Sequence, residues 1–448
     1  MDRDNISLTE GNLFESLLKF SIPFIIANLI QALYGAVDML IIGLFTDTAA
    51  LSGVAVATQV MQIVNGIVLG LTMGGTILVG QYYGAKRYKD TQKTIGNLMI
   101  LGVFVSLLIA VGMYIFKDQL LNLLNTPSEA FIDARNYVLI ASAGTIFIFG
   151  YNAVSAVLRG LGDSKRPVYF ISVACVINIL LDILFVAKFG LRASGAAFAT
   201  VISQLISLLI ALWYLTKRSD YFKITAENFR IDLSRINKIL RVSLPLALQE
   251  VLLWGSFLVI AAIANSMGVN ESAAVGIVAK FETFSMLPPM ALSYALAAMT
   301  AQNIGAQKPE RALSALKISI GMSLVSAFVF LLWAQLHPQS IMAIFGADPG
   351  VTLAGAQYLK LYSIDFLLVA FKFNFNGFLN GSGRTTFAML NGIFSSVFVR
   401  IPLAYLLGYK MGKSLYGLGL SVPLASILSI LFSILFIRTG KWKEQIIK

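Results

Sequence analysis

The chain has 448 residues, of which 57% are hydrophobic and only 12% are charged, and its formal net charge is +12. Soluble globular proteins are roughly 45–50% apolar and about 25% charged, so this composition excludes a water-soluble protein. The 31 Phe, 16 Tyr and 4 Trp residues exclude a disordered chain as well. A helix that spans a bilayer needs about 20 apolar residues, and at roughly 37 residues for each helix with its loop the chain has room for about twelve.

Hydrophobic runs separated by charges and glycines predict twelve spans. In chain order they lie at residues 16–45, 52–82, 92–117, 131–160, 165–188, 193–217, 237–266, 273–302, 311–336, 351–382, 386–409 and 414–438. Most of the 34 Lys and Arg residues lie on one side of these spans, together with both termini and the long connection at 218–241. The positive-inside rule places that side in the cytoplasm, so we expect a multi-pass protein of the cell (plasma) membrane. No basic patch alternates with aromatic residues in a soluble segment, and we therefore expect no nucleic-acid partner.

Three motifs of the first half recur in the second half at an offset of 221 or 222 residues. The pairs are Ser21-Ile22-Pro23 with Ser243-Leu244-Pro245, Gln81-Tyr82-Tyr83-Gly84-Ala85 with Gln302-Asn303-Ile304-Gly305-Ala306, and Leu158-Arg159-Gly160-Leu161-Gly162 with Leu379-Asn380-Gly381-Ser382-Gly383. Each motif lies at the same place in its half. The sequence therefore contains an internal repeat of six spans.

The repeat predicts the architecture. Because six is an even number, both halves enter the membrane from the same side, which makes a parallel repeat about an axis along the membrane normal. We predict an all-α integral membrane protein of twelve transmembrane helices in two parallel six-helix bundles related by a pseudo-two-fold axis. The bundles are residues 1–217 and 237–448, and a cytoplasmic linker at 218–236 joins them. Such paired bundles are typical of transporters.

The sequence resembles the multidrug and toxic compound extrusion (MATE) family over essentially its whole length. The resemblance rests on Val37-Asp38-Met39-Leu40-Ile41-Ile42-Gly43, Gly80-Gln81-Tyr82-Tyr83-Gly84-Ala85, Leu158-Arg159-Gly160-Leu161-Gly162-Asp163, Asn178-Ile179-Leu180-Leu181-Asp182 and Gly195-Ala196-Ala197-Phe198-Ala199-Thr200, in this order. The first half is most similar to the DinF-like prokaryotic branch. The resemblance implies secondary active efflux of bulky, often cationic, amphipathic compounds, driven by inward Na⁺ or H⁺.

Ionisable side chains within spans cost about 2.5–3.5 kcal/mol each, so they are candidates for function. Asp38 lies well inside the first span, and Asn178 and Asp182 share one face of the fifth because they are four residues apart. The resemblance implies that these three residues and Thr200 meet in the first bundle as the cation-coupling site. Their oxygens suit a hard cation such as Na⁺. There are two alternatives: the two carboxylates form a proton relay, or the cluster is a polar contact that only holds the helices together. Tyr34 lies one turn before Asp38 and either donates a hydrogen bond to it or only packs against neighbouring side chains.

The second bundle offers weaker candidates for coupling or substrate contact. Glu250 matches a seventh-helix glutamate of other branches of the family, and the alternative is an ion pair with Lys280 or Lys372. Asp365 lies about one turn before Val369, which occupies the position of the family aspartate, so a cation site in this bundle is in doubt.

Two bases and a proline complete the set of unusual residues within the spans. Arg400 or Lys372 is expected to neutralise Asp365 or Glu250, and direct contact with the substrate is the alternative. Glu282, two residues after Lys280, is expected to belong to a local network of ion pairs. Pro23 frees a backbone carbonyl in the first span and is either a gate, at which the helix bends, or a static kink.

The leading hypothesis is a cation-coupled antiporter that exports amphipathic organic compounds, with Na⁺ or H⁺ as coupling ion and no cofactor. The alternative is a lipid-linked glycan flippase of the same superfamily, which would need several arginines in the cavity of the first bundle. In this bundle no Lys or Arg is predicted to lie within the membrane. We do not expect an enzyme, because one His and one Cys provide neither a nucleophile–base pair nor a metal cluster. The expected partners are small organic molecules and the lipid bilayer, and the resemblance implies a monomer.

Overall fold

The structure is a computed structural model that describes residues 8–217, 225, 227–411 and 414–447. The first half contains α1 (Leu13–Phe45), α2 (Thr48–Gly84), α3 (Tyr88–Leu123), α4 (Ser128–Ala143), α5 (Thr145–Leu161), α6 (Lys165–Asp182), a π-helical segment (Ile183–Lys188) and α7 (Arg192–Lys217). The second half contains α8 (Leu233–Asn265), α9 (Val269–Gly305), α10 (Pro309–Leu336), α11 (Pro338–Ile344), α12 (Pro349–Tyr362), α13 (Ile364–Gly381), α14 (Thr385–Ile393), a π-helical segment (Phe394–Arg400), α15 (Ile401–Leu403), a second π-helical segment (Ala404–Lys410) and α16 (Leu415–Arg438).

Most of the predicted spans appear as long apolar helices. Within the described ranges, 10 helices are long and apolar enough to cross a membrane, and the pair α4–α5, bent by 48°, makes an eleventh. The one remaining predicted span, the tenth in chain order at 351–382, corresponds to α12 and α13, which carry the charges of Lys360, Asp365 and Lys372. The prediction of an all-α membrane protein is confirmed. The short helix α11 was not predicted.

The chain folds into two compact units. Among the described residues, one unit consists of 22–247 and the other of 8–21 and 248–447. Both boundaries fall inside helices, close to Pro23 in α1 and to Pro245 in α8. Most of the predicted linker, 218–224 and 226, lies outside the described residues, and the division at 218–236 stays a prediction.

The internal repeat is visible in the backbone. Helices α2 and α9 begin and end at positions 221 residues apart. The turns that follow them place Lys86 and Gln307 in the left-handed region, each with φ of 58°. At Gly160 and Gly381 an added Cβ would overlap a backbone carbonyl of α2 and of α9, respectively. The same close helix contact is therefore built twice.

Each unit has its own apolar core beside its polar residues. In the first unit, Ile41 and Ile42 of α1 pack with Val64 of α2, Tyr137 of α4 and Ala196 of α7. This packing holds the second half of α1, which carries Asp38, against the helices of its own unit.

In the second unit the core is richer in aromatic residues. Phe281 of α9 packs edge-on against Trp333, and near Phe366, while Tyr358 stacks on Tyr362 with ring centroids 4.9 Å apart. The Tyr362 hydroxyl lies close to the carboxyl group of Glu282 on α9.

Candidate functional site

The structure brings the predicted cation-coupling residues of the first unit together. Asp38 of α1 and Asp182 of α6 are buried, with 6% and 0% of their surfaces exposed, and their carboxyl groups lie within hydrogen-bonding reach of each other. Asn178, one turn before Asp182 on α6, is fully buried. Thr200 lies on α7, which packs against α6. Asp182 is the last residue of α6, directly before the π-helical segment.

These four residues hold five buried oxygens that find no hydrogen-bond partner among the described residues. They are Oδ1 of Asp38, Oδ1 of Asn178, both carboxylate oxygens of Asp182 and Oγ1 of Thr200. Neither carboxylate forms an ion pair within the described part of the chain. Because an uncompensated buried charge is strongly unfavourable, the group is chemically complete only with a proton or a cation. Carboxylate, amide and hydroxyl oxygens are the ligands that hard cations prefer.

Two tyrosines border this site. The Tyr34 phenol lies 3.4 Å from Oγ of Ser203 and close to Thr200, so its hydrogen-bond partner is Ser203 and not Asp38, the acceptor expected from the sequence. Tyr137 of α4 is buried near Thr200 and Asp38. Sequence analysis missed Tyr137 and Ser203. The repeat carries a signal for Tyr137, since Tyr358 lies at the same place in the second half.

A second group of buried charges lies in the other unit. Glu282 of α9, Asp365 of α13 and Arg400, at the end of a π-helical segment, are 4%, 1% and 2% exposed. Lys372 and the Tyr362 hydroxyl lie within electrostatic range of Glu282. The predicted neutralisation of Asp365 by Arg400 and Lys372 agrees with this proximity, although the described residues show no ion pair between these bases and the two acids.

The structure also places the other polar residues singled out in the second unit. Glu282 is buried, whereas Lys280, two residues before it, is exposed. Residues two apart on a helix face different directions, and the bases within electrostatic range of Glu282 are Arg400 and Lys372. Glu250 is half-buried on α8 and forms no ion pair with Lys280 or Lys372 in the part of the chain that the structure describes. Pro23 is buried inside α1, and its role as a gate stays a prediction.

Long apolar helices, an internal repeat and uncompensated carboxylates buried in one bundle define a polytopic helical transporter of the membrane, not an enzyme. The MatE family model matches residues 23–184 and 245–406, once in each repeat. The chain therefore belongs to the MatE family.

Known relatives match over nearly the whole chain. The probable multidrug resistance protein YpnP of Bacillus subtilis is 28% identical over 98% of this chain and 97% of its own length. The probable multidrug resistance protein NorM of Thermotoga maritima is 25% identical, covering 96% and 93% of the two chains. The multidrug export protein MepA of Staphylococcus aureus is 23% identical, covering 95% and 93%.

Solved structures agree with the fold. A MOP superfamily transporter from Pyrococcus furiosus superposes with a TM-score of 0.91 at 20% identity, covering 99% of this chain and 100% of that one. For that protein, the reverse polarity of the binding pocket is reported to suggest a different function. An outward-facing multidrug resistance MATE family transporter gives a TM-score of 0.90 at 20% identity, covering 99% of both chains. These comparisons do not favour the flippase alternative.

Proposed function

We propose that this transporter is a cation-coupled antiporter that exports amphipathic, often cationic, organic compounds in exchange for Na⁺ or H⁺ entering the cell. The observation that carries the proposal is the pair of buried, uncompensated carboxylates of Asp38 and Asp182. The names of the relatives, multidrug resistance and multidrug export proteins, support the substrate class.

Coupling requires that the ion bind one conformation more tightly than the other, since equal affinity for both states shifts no equilibrium. The carboxylates lie on α1 and α6, so any movement of α1 relative to α6 changes the distance between them. A bound cation or proton cancels their repulsion and stabilises the conformation in which they are close. Release of the ion favours separation, and the cycle then exchanges an ion for a drug.

The donor set supports both coupling ions for different reasons. The amide oxygen of Asn178 and the hydroxyl of Thr200 add neutral ligands that a Na⁺ ion needs. A proton needs only the two carboxylates of Asp38 and Asp182, because two acids in a low dielectric share a proton readily. The choice between the ions is therefore a question for transport measurements.

The remaining assignments belong to the same proposal. Pro23 is the gating position in α1, and Tyr34 orders the hydroxyl groups beside the ion site. Glu250 and Asp365 are secondary positions for coupling or substrate contact. The protein acts as a monomer in the plasma membrane, with both termini in the cytoplasm.

The test is transport of a fluorescent organic cation into proteoliposomes, with a Na⁺ gradient or a pH gradient imposed separately. Wild type is compared with Asp38→Asn and with the control Asp348→Asn, which removes an exposed carboxylate at the start of α12. At an effective dielectric constant of about 20, a unit charge pair about 4 Å apart interacts by about 4 kcal/mol, so Asp38→Asn should weaken cation binding by about 100-fold or more.

We expect one gradient to drive transport in wild type and in Asp348→Asn, and transport to be lost in Asp38→Asn. Transport that survives in Asp38→Asn but fails in Glu250→Gln would move the coupling site to the second unit. Equal transport with and without either gradient would refute coupled antiport.

A further inference from the structure

The repeat assigns a counterpart in the second unit to each residue of the ion site. The counterparts are Ile260 for Asp38, Val399 for Asn178, Leu403 for Asp182, Ser421 for Thr200 and Tyr358 for Tyr137. The tyrosine and one hydroxyl are thus kept, while both carboxylates and the amide are replaced by apolar side chains. The second unit has the aromatic border of an ion site without its carboxylate and amide ligands.

A permanent positive charge lies at this place instead. Arg400 directly follows Val399 and is 2% exposed. Its Nη1 donates to Oγ of Ser256 at 3.1 Å, and Ser256 is the counterpart of Tyr34. The guanidinium also lies 5.1 Å from the centre of the Phe257 ring and within electrostatic range of Tyr358.

Two acids balance this charge from positions that the first unit does not use. Glu282 and Asp365 correspond to Met61 and Gly144 in the first half, neither of which is ionisable. Glu282 lies within electrostatic range of Arg400, and both acids and Arg400 lie within electrostatic range of Lys372. One oxygen of each acid, and Nε of Arg400, are buried with no hydrogen-bond partner among the described residues. The charges are therefore compensated at a distance and not by direct ion pairs.

We propose that Arg400 is a resident cation, whose guanidinium takes in the second unit the place that a monovalent coupling ion takes in the first. Its presence confines ion binding to the Asp38–Asp182 site. Without its charge, Glu282 and Asp365 would face only Lys372, and the second unit would gain a site for a monovalent cation. The inference rests on the proposed function, since it assumes that the first unit binds the coupling ion.

The test counts bound cations on the purified full-length protein. Arg400→Gln removes the charge and keeps a donor for Ser256, and Arg400→Lys is the matched control that keeps the charge. The double variant Arg400→Gln/Glu282→Gln removes one acid together with the base. Binding of radioactive ²²Na⁺ is measured in choline buffer, and proton uptake is measured by pH titration of the same samples.

We expect Arg400→Gln to bind one more cation, Na⁺ or proton, than wild type, and Arg400→Lys and the double variant to bind as many as wild type. If Arg400→Gln is unstable, its melting temperature should rise with added Na⁺ or acid more than that of the double variant. An unchanged number of bound cations, or equal instability in Na⁺ and choline at every pH, would overturn the inference.

A separate variant keeps the two proposals distinguishable. Asp38→Asn should lose the wild-type cation, and Asp38→Asn/Arg400→Gln should regain one. If Asp38→Asn still binds as many cations as wild type, the proposed coupling site is wrong. The comparison of Arg400→Gln with Arg400→Lys tests the resident cation in that case as well.

Discussion

Replacement of Gly70 by Ala should destabilise the first unit, because α2 and α8 touch there through their backbones. A Cβ added at Gly70 would overlap the Cα and N atoms of Ala247 and lie 2.8 Å from the carbonyl carbon of Leu246. At the next residue of α2, Oγ of Ser243 donates to the carbonyl of Leu71 at 2.9 Å, which fixes the spacing of the two helices. No side-chain rotation relieves a clash with backbone atoms, so the helices must separate.

The size of the effect follows from two opposing terms. Overpacking of a tight contact costs about 1–3 kcal/mol, and the immobile backbone at Gly70 favours the upper end. Alanine in place of glycine within a helix stabilises the helix by about 1 kcal/mol, which offsets part of this cost. The net loss is about 1–2 kcal/mol, and at about 2–4 °C per kcal/mol for a unit of this size the melting temperature should fall by about 2–8 °C.

The single cysteine of the chain reports this change directly. Cys175 is half-buried on α6 in the same unit, so a thiol-reactive fluorophore follows its exposure on heating. Gly112→Ala on α3 is the matched control, because a Cβ there meets nothing within 4 Å and only the favourable helix term, up to about 1 kcal/mol, remains. A Gly70→Ala protein that melts at or above wild type, or a Gly112→Ala protein that loses as much as Gly70→Ala, would refute the reasoning.

Two further predictions concern residues outside the spans. Trp442 is buried, its ring centre lies 4.8 Å from that of Phe378, and its Nε1 donates to a backbone carbonyl. Trp442→Ala should therefore destabilise the protein by about 3–5 kcal/mol, and Trp442→Phe by less. The shift in melting temperature measures both effects. Hydrogen bonds from Arg192 hold the pKa of Asp47 below its usual value of 3.8. The ionised carboxylate therefore stabilises the folded state at pH values above its pKa in the unfolded chain. This stabilisation is lost as the pH falls through the pKa of Asp47 in the folded protein. The difference in melting temperature between wild type and Asp47→Asn should therefore be largest near neutral pH and vanish in acid; a difference that grows as pH falls would contradict this.

The helices and the repeat were predictable because their signals are strong and local. Apolar runs long enough to cross a bilayer leave few alternatives, and motif pairs at one offset reveal the repeat without any structure. The bend of α4–α5, the break between α12 and α13 at Ser363, and the π-helical segments were not predicted. They are adjustments of the backbone, and the sequences at these places carry no pattern that predicts them.

Some residues of the ion site were predictable from the sequence, and others were not. Asp38 and Asp182 stand out in the sequence because a carboxylate within a span is rare. Tyr137 and Ser203 do not, since tyrosine and serine are common in membrane helices and their role depends on which residues face them. The bases near Glu282, Arg400 and Lys372, lie far from it along the chain, because the electrostatic neighbours of a buried charge are set by packing and not by separation in sequence.

The two units treat buried charge in opposite ways, and this difference bears on transport. Among the described residues, Asp38 and Asp182 of the first unit have no base beside them, and in the proposed cycle an ion from outside completes the group. In the second unit Glu282 and Asp365 lie near Arg400 and Lys372, and in the proposed scheme the chain completes that group itself. The two proposals together predict that the charge state of the first repeat changes with the ion, while that of the second repeat stays constant.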